Sequence, residues 1–178
     1  MEYLTVLLDK TFKKSEFSCG KQPLDDYLHQ FAKQDAQKDI SRTFVLPDGN
    51  KIKGYYSLSS SSIPREHVPE EFIKKHKLPR YTSLPTVLLG RLAVDKKYQG
   101  QKLGSLLLFD VFKRCYEANL AIAAFALVVD ALDSEAFEFY KKFGFIPLDS
   151  QKLFLPMQSI VEYLQETLSV TDPTTTIM

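Results

Sequence analysis

Apolar and polar positions along this chain follow two periods, one of strands and one of helices. The run "YLTVLLD" (residues 3–9) is rich in β-forming side chains and predicts a first strand. Over residues 23–38, "PLDDYLHQFAKQDAQK" places Leu24, Tyr27, Leu28, Phe31 and Ala32 at helical spacing, with Pro23 suited to the first turn. "RTFVL" (42–46) and the strand over 52–60 flank the turn signal "PDGN" and predict an antiparallel hairpin. "TVLLGRLAVD" (86–95) is nearly continuous in apolar residues, as a strand covered on both faces would be. A strongly apolar helix follows over 104–118, then a second buried strand, "AIAAFALVVDA" (121–131). "SEAFEFYKKFGF" predicts a short helix closed by Gly144. "KLFLPM" is a last strand, and "QSIVEYLQETL" (158–168) an amphipathic terminal helix.

This order describes an α/β fold, a mixed, largely antiparallel sheet flanked by helices. One domain over residues 1–168 accounts for it, and 169–178, "SVTDPTTTIM", reads as a frayed tail without core residues. Residues 63–85 stand apart. They hold four of the nine prolines, many charges and a short helical stretch at 70–75, the composition of a functional loop or cover.

Bulk properties narrow the field only slightly. At 178 residues and net charge +1 there is no global field, so a nucleic-acid surface must be a local patch. Cys19 and Cys115 lack CxxC spacing and read as inert, reduced thiols. Glu2 stands where a secretory signal wants positive charge, and no window approaches the roughly 20 apolar residues of a membrane span. The expectation is a soluble cytoplasmic protein. His29, His67 and His76 have no metal spacing, so no metal is expected. "SLSSSS" reads as strand-end and turn chemistry, since no G-x-S-x-G elbow surrounds it.

Chemistry enters at "YQGQKLGSLLL" (98–108). In a chain with only seven glycines, Gly100 and Gly104 stand at the mouth of an apolar helix, straight after a strand that contains Gly90. A strand entering a helix through such a turn offers unpaired N–H groups and the positive end of the helix dipole, both favourable to phosphate. Gln99, Gln101 and Lys102 add side-chain donors. A tight connection that binds nothing fits the same residues. The nucleotide P-loop is excluded because Ser105 and Leu106 follow Gly104, and the dinucleotide fingerprint is interrupted at Lys102.

"GRLAVDKKYQGQKLGSLLL" resembles the acyl-CoA-binding core of the GNAT acetyltransferases, [QR]-x-x-G-x-[GA] after an apolar strand. Gln99 and Gly104 match the ends, and Lys102 stands where glycine is usual. A neighbouring N–H can still face a phosphate there if residue 102 keeps a negative φ. "VVDALDSEAFEFYKKFGF" resembles the family's strand–helix segment ending A-x-x-F-Y-x-x-x-G-F, here Ala136, Phe139, Tyr140, Gly144 and Phe145. With "FSCGKQPLDDYLHQFAKQD", "GYYSLSSSSI", "LPTVLLGRLAVD" and "LFLPM", the likeness extends from Phe17 to Met157. Its narrower object is the GNAT toxins of bacterial toxin–antitoxin pairs, the TacT and AtaT type.

The resemblance implies acetyl-CoA as the acetyl donor, with no metal. It implies a pantetheine arm paired with Leu92, Ala93 and Val94, and a pyrophosphate on Gln99, Gly100, Gln101, Lys102, Leu103, Gly104 and Ser105. Further coenzyme contacts fall at Asp133 and Ala136, although Asp133 read alone is an N-cap. Tyr140 becomes the acid that protonates the leaving thiolate; read alone, it is a core aromatic on a helix face with Ala136 and Phe143. The implied acceptor is the α-amino group of aminoacyl-tRNA, whose acetylation stops translation. A small amine or a protein N-terminus as acceptor, or a module that holds CoA without catalysis, remain alternatives.

For tRNA the foremost cations are Lys74, Lys75, Lys77 and Arg80 in the 63–85 segment. The pairs Lys51/Lys53, Lys96/Lys97 and Lys141/Lys142 read equally as solvated surface. Arg91 would hold a phosphate or the acceptor end, or else form a plain ion pair on the strand, which the residues alone favour. The partners implied are a ribbon–helix–helix antitoxin and operator DNA reached only through it. A second copy is also implied, with the helix over 158–168 as its candidate surface.

Overall fold

The computed structural model describes residues 2–170. Seven strands form one sheet, ordered β1 (Val6–Leu7), β2 (Arg42–Asp48), β3 (Lys51–Pro64), β4 (Ser83–Val94), β5 (Ala126–Asp130), β7 (Lys152–Pro156) and β6 (Ile146–Pro147). All neighbours are antiparallel except β4 and β5, which α4 (Leu103–Ala121) joins as a parallel crossover. α1 (Gln22–Asp26) continues through a widened turn, Tyr27–Phe31, into α2 (Ala32–Gln37). In that turn the Ala32 N–H reaches back five residues to the Tyr27 carbonyl. The remaining helices are α3 (Glu70–His76), α5 (Ser134–Lys142) and α6 (Met157–Val170).

Successive strand side chains go to opposite layers. Tyr56, Leu127, Val129, Leu153 and Leu155 join Leu107, Val111 and Phe112 of α4, Tyr140 of α5 and Ile160 of α6. Val45, Tyr55 and Ala93 face the other way, onto Phe17, Tyr27 and Leu28. On that face α3 covers the far end of the sheet, its Phe72 edge-on to Phe154 at 5.2 Å. The apolar face of α6 is taken up inside the chain by Ile160 and Leu164.

The alternation breaks once within β4. Val87 and Leu89 face α4, but beyond Gly90 it is Leu92 and Val94 that do so, while Ala93 takes the opposite face. The register gives the cause: Ser57 pairs with Arg91 and Leu58 with Leu89, leaving Gly90 as an extra residue in a β-bulge. A Cβ on Gly90 would lie 3.2 Å from Ser57 Oγ, so glycine suits this contact. A bulge bends its strand. Pairing with β5 stops at Leu89 and Val129, and residues 90–94 keep only β3 as a ladder neighbour. β4 is therefore not covered along its whole length: Gly90, Arg91, Leu92 and Val94 are half-buried.

Hydrogen bonds explain where strands are shorter than the apolar runs. Within 3–9 only Val6 and Leu7 join the ladder, because the Leu4 N–H and Thr5 hydroxyl donate to Asp110 on α4 at 2.7 and 2.6 Å. The strand expected from 121 begins at Ala126. α4 runs to Ala121, Ile122 is 80% exposed, and Asn119 Oδ1 turns the chain by accepting the Ala124 N–H at 2.7 Å. The segment expected over 63–85 shrinks to 65–82, since β3 extends to Pro64 and β4 starts at Ser83; serines 59–62 are strand residues, not a turn. Of the tail expected to fray, 169 and 170 continue α6 and 171–178 lie outside the described residues.

Lys102 is a second departure. Its φ is +59°, not negative, so it adopts the left-handed conformation for which glycine is usual at this place in the turn. Left-handed backbone costs a side-chain-bearing residue about 1–2 kcal/mol.

Asp110 is fully buried and ties α4 to β3 and to the residues just before β1. Besides Leu4 and Thr5 it accepts the Tyr56 hydroxyl at 2.8 Å, with Arg114 3.7 Å away. Arg114 in turn donates to Tyr56 Oη at 2.6 Å and to the Thr5 carbonyl at 2.9 Å. Asp110→Ala leaves that guanidinium without its carboxylate, at an expected cost of about 3–5 kcal/mol in urea unfolding. A cost below 1 kcal/mol would mean the network contributes little. Lys102→Gly is expected to raise stability by about 0.5–1 kcal/mol, the relief of strain less the entropy glycine adds to the unfolded chain; a loss in the same assay would show that Lys102 is unstrained.

Candidate active site

Where β4 and β5 part, a cavity of about 440 Å³ opens. β4 lends Gly90, Arg91 and Leu92; the chain leaving β5 lends Asp130, Ala131 and Leu132; α5 lends Ala136 and Tyr140. Lys21, Pro23 and Leu24 close it from α1 and the residue before it, and Gln151 from the approach to β7. The sequence reading named Arg91, Leu92, Ala136 and Tyr140 among these. It missed the α1 wall and Leu132, an apolar residue beside the N-cap Asp133 that the structure leaves 45% exposed.

The open edge of β4 can be read from two contacts. The Asp95 N–H donates to the Lys53 carbonyl at 2.8 Å, so the carbonyl of the same peptide, on Val94, points away from β3. Gln99 Nε2 meets it there at 3.0 Å. The N–H and C=O of one strand residue leave on the same side, and sides alternate along the strand. Leu92 and Val94 thus present backbone amides to the open edge, whereas Ala93 faces Tyr55 within the ladder. Of the three strand residues expected to pair with a ligand, Ala93 is the exception.

The turn that follows is built by side chains. Asp95, 5% exposed, accepts the Ser18 N–H at 3.0 Å and the Lys97 N–H at 2.9 Å. Gln99 also donates to the Cys19 carbonyl at 3.0 Å, so its side-chain amide holds the turn together instead of offering the free ligand donor that the sequence predicts. Gly100 has φ +80° with open space around it. Gln101 and Lys102 are exposed. No side chain caps α4 and no acid lies in its first turn, which leaves the amides of Leu103, Gly104 and Ser105 for an anion. Asp133 is the N-cap of α5, accepting the Ala136 N–H at 2.9 Å. Its other oxygen binds Lys21 Nζ at 2.8 Å, and Lys21 first, then the Ala136 amide, hold the carboxyl below its ordinary range.

Tyr140 is 7% exposed, its ring against Phe139 and Phe145 at 5.2 and 5.3 Å. The other buried tyrosines bond their hydroxyls internally: Tyr27 to Ser41, Tyr55 to the Leu24 carbonyl, Tyr56 to Asp110. Tyr140 makes no such bond among the described residues, and it lines the cavity. Burial raises its phenol well above the ordinary 10.0.

The plain ion pair expected for Arg91 is not formed. Its guanidinium lies over the Tyr27 ring, 3.6 Å from the centroid, without an acidic partner among the described residues. Lys74, Lys75, Lys77 and Arg80 are not brought to the cavity. Lys74 pairs with Glu70 at 2.8 Å, and the whole 65–82 segment enters the opposite end of β4. From Ser83 to Arg91 an extended strand covers roughly 26 Å. Burial raises the Cys19 thiol to about 11 and Cys115 to about 12, in keeping with inert cysteines. His29 bonds the Phe17 carbonyl at 2.8 Å and His76 stacks on Phe72. Among the described residues no group of side chains could hold a metal ion, and no helix is long and apolar enough to cross a membrane.

Known proteins share this fold. The acetyltransferase (GNAT) domain profile matches residues 82–157. A tRNA-acetylating toxin of Mycobacterium tuberculosis is 38% identical over 146 residues, which span 81% of this chain and 86% of the relative. AtaT complexed with acetyl-methionyl-tRNAfMet superposes with TM-score 0.82 at 32% identity, over 92% of this chain and 99% of that one. A Tyr-to-Phe mutant of AtaT bound to the C-terminus of the antitoxin AtaR and acetyl-CoA gives 0.75 at 28%, over 90% and 96%. At these identities and coverages the chain belongs to the GNAT acetyltransferase family, where it resembles the TacT and AtaT type of toxin.

Proposed function

We propose that this acetyltransferase moves an acetyl group from acetyl-CoA to the α-amino group of an aminoacyl-tRNA and thereby blocks translation. The observation that carries the reading is Tyr140, which lines the opening beside the free edge of β4 with its hydroxyl unbonded among the described residues. The named relatives supply the substrates: tRNA acetylation for one, acetyl-methionyl-tRNA and acetyl-CoA for AtaT.

The residues present fit the coenzyme. When bound, acetyl-CoA supplies an activated acetyl thioester. The edge amides of Leu92 and Val94 hold an extended pantetheine arm as a neighbouring strand would be held. The first-turn amides of α4 cradle the diphosphate, with Gly100 and Lys102 shaping the approach and Lys102 adding charge. An N–H of the β4 edge aimed at the thioester oxygen stabilises the negative charge that develops there, a contribution of about 3 kcal/mol where such a donor has been removed.

Tyr140 gives its proton to the departing sulfur. Its raised pKa keeps it protonated at neutral pH. The same desolvation raises a thiol, as it does Cys19 and Cys115, so burial preserves the match between acid and leaving group. The acceptor needs no strong base, because an α-amino group titrates near 7.7–8.0 and is partly neutral at pH 7. Lys74, Lys75, Lys77 and Arg80, far along β4, are left for a second contact on the body of the tRNA. The reading also includes a ribbon–helix–helix antitoxin, operator DNA bound through it, and a second copy of the chain.

Tyr140→Phe is expected to bind acetyl-CoA normally by calorimetry and to lose at least about 100-fold in turnover; unchanged turnover removes Tyr140 from the chemistry. With charged tRNA and acetyl-CoA, mass spectrometry is expected to find acetylated aminoacyl-adenosine. Acetylated polyamines or peptides alone would move the assignment to a small-amine or N-terminal acetyltransferase. The rate is expected to climb between about pH 6 and 8 as the acceptor amine deprotonates, then to stay level to about pH 10 because Tyr140 keeps its proton there. A decline starting near pH 8 would contradict the raised phenol pKa.

A further inference from the structure

We propose that Arg91 is a pre-set clamp for the phosphodiester nearest the reacting amine, so that the enzyme favours an amine carried on a nucleotide chain over the same amine without a phosphate. The proposal rests on the aminoacyl-tRNA reading and names the part of that substrate which is gripped.

The charges around the cavity single out this residue. Lys21 is neutralised by Asp133 at 2.8 Å and Glu135 at 3.3 Å. Asp130 is matched by Lys152 at 3.1 Å. Arg91 has no acidic partner among the described residues, and its ladder neighbour on β3, Ser57, is 1% exposed with an Oγ that finds no hydrogen bond. A half-buried guanidinium without a counter-ion is poorly solvated, and an incoming anion restores what it has lost.

Its orientation is fixed without using its donors. The Tyr27 ring beneath it is 2% exposed, belongs to the widened turn of the first helix, and bonds its hydroxyl to Ser41 at 2.7 Å. Stacking occupies only the flat face of the guanidinium and leaves the five edge N–H groups for a forked contact. Around it the walls are apolar, from Pro23, Leu24 and Leu132.

The anion must come with a substrate. An amino acid esterified to a ribose has no free carboxylate, so the acidic group nearest its amine is the phosphodiester of the terminal nucleotide. The other source is the coenzyme's diphosphate. Its binding turn begins beyond Val94, three residues or about 10 Å further along the strand than Arg91.

Two acceptors separate the cases: an aminoacyl ester of adenosine, which has no phosphate, and the same aminoacyl group on a CCA trinucleotide. The full chain is expected to favour the trinucleotide in kcat/KM by about ten- to a hundredfold. Arg91→Met should bring that ratio near one and lower the salt slope of trinucleotide binding by about 0.7. Arg91→Lys, which keeps the charge without the planar fork, should retain part of the ratio, and the Kd for acetyl-CoA should match across the three proteins. Circular dichroism and urea unfolding establish that the variants are folded. An undiminished ratio in Arg91→Met, or equal use of both acceptors by the unaltered chain, overturns the clamp and leaves the tRNA reading standing. A weakened Kd for acetyl-CoA with the ratio unmoved assigns Arg91 to the coenzyme instead. If the unaltered chain acetylates neither ester nor charged tRNA, the underlying reading falls, and the clamp with it.

Discussion

One surplus residue in β4 makes room for the chemistry. Without Gly90 as a bulge, the ladder between β4 and β5 could continue past Leu89, and the backbone that a thioester needs would be tied up in the sheet. With it, the strand bends, its side chains exchange faces, and five residues keep one hydrogen-bonding edge free. The same shift delivers Leu92 to the α4 layer and Arg91 to the face where Tyr27 lies. A free strand edge is ordinarily a liability in solution. Here it is walled by α1 on one side and α5 on the other, and Gln99 closes its end at the Val94 carbonyl.

The site can also be recognised by what is left unpaired. Buried polar groups in a folded protein nearly always have partners, and the hydroxyls of Tyr27, Tyr55 and Tyr56 have theirs inside the chain, whereas that of Tyr140, on the cavity, has none among the described residues. Arg91 breaks the corresponding rule for charge, having a ring beneath it and no acid beside it. Both lie on the one cavity, and the uncapped start of α4 lies just beyond the end of the same strand. Two unpaired groups on one cavity, with an uncapped helix start beyond it, are hard to account for by packing. They are what a site that completes itself with ligands looks like.

Much of this was legible in the residues, unevenly. The strand and helix order follows from periodicity, and Tyr140 from the family motif in which it stands. The bulge was not legible: "TVLLGRLAVD" is apolar on both alternating faces, so its pattern does not mark the three-residue step between Leu89 and Leu92 that keeps Val87, Leu89, Leu92 and Val94 on one layer. Asp110, an acid in the apolar run "LLLFDVF", went unread in the sequence, though it anchors the network that draws Leu4 and Thr5 out of the first strand. The rest depends on contacts between distant segments. No local pattern tells that Arg91 will meet the ring of Tyr27 and no carboxylate, or that Lys21 will reach Asp133. The left-handed Lys102 is a mixed case. Its motif position, where glycine is usual, was the signal, and the structure has a positive φ there where a negative one was allowed for.

The distance between the free edge and the helix start is set by a further glycine. A Cβ on Gly54 would come within 2.8 Å of Leu107 Cδ1 and 2.9 Å of the Ala93 carbonyl. Its absence lets α4 settle close against β3 beside the last residues of β4, and Asp110, on the same helix, locks that approach through Tyr56 and Thr5. The two halves of the proposed coenzyme site therefore belong to elements that a buried network and a close backbone contact hold in register. Donors fixed in this way need little rearrangement when charge develops at the thioester, and electrostatic stabilisation is most effective under that condition. The strain at Lys102 fits the same logic. A left-handed residue persists where its surroundings over-determine it, and here a rigid helix on one side and a braced turn on the other leave residue 102 no other way to join them.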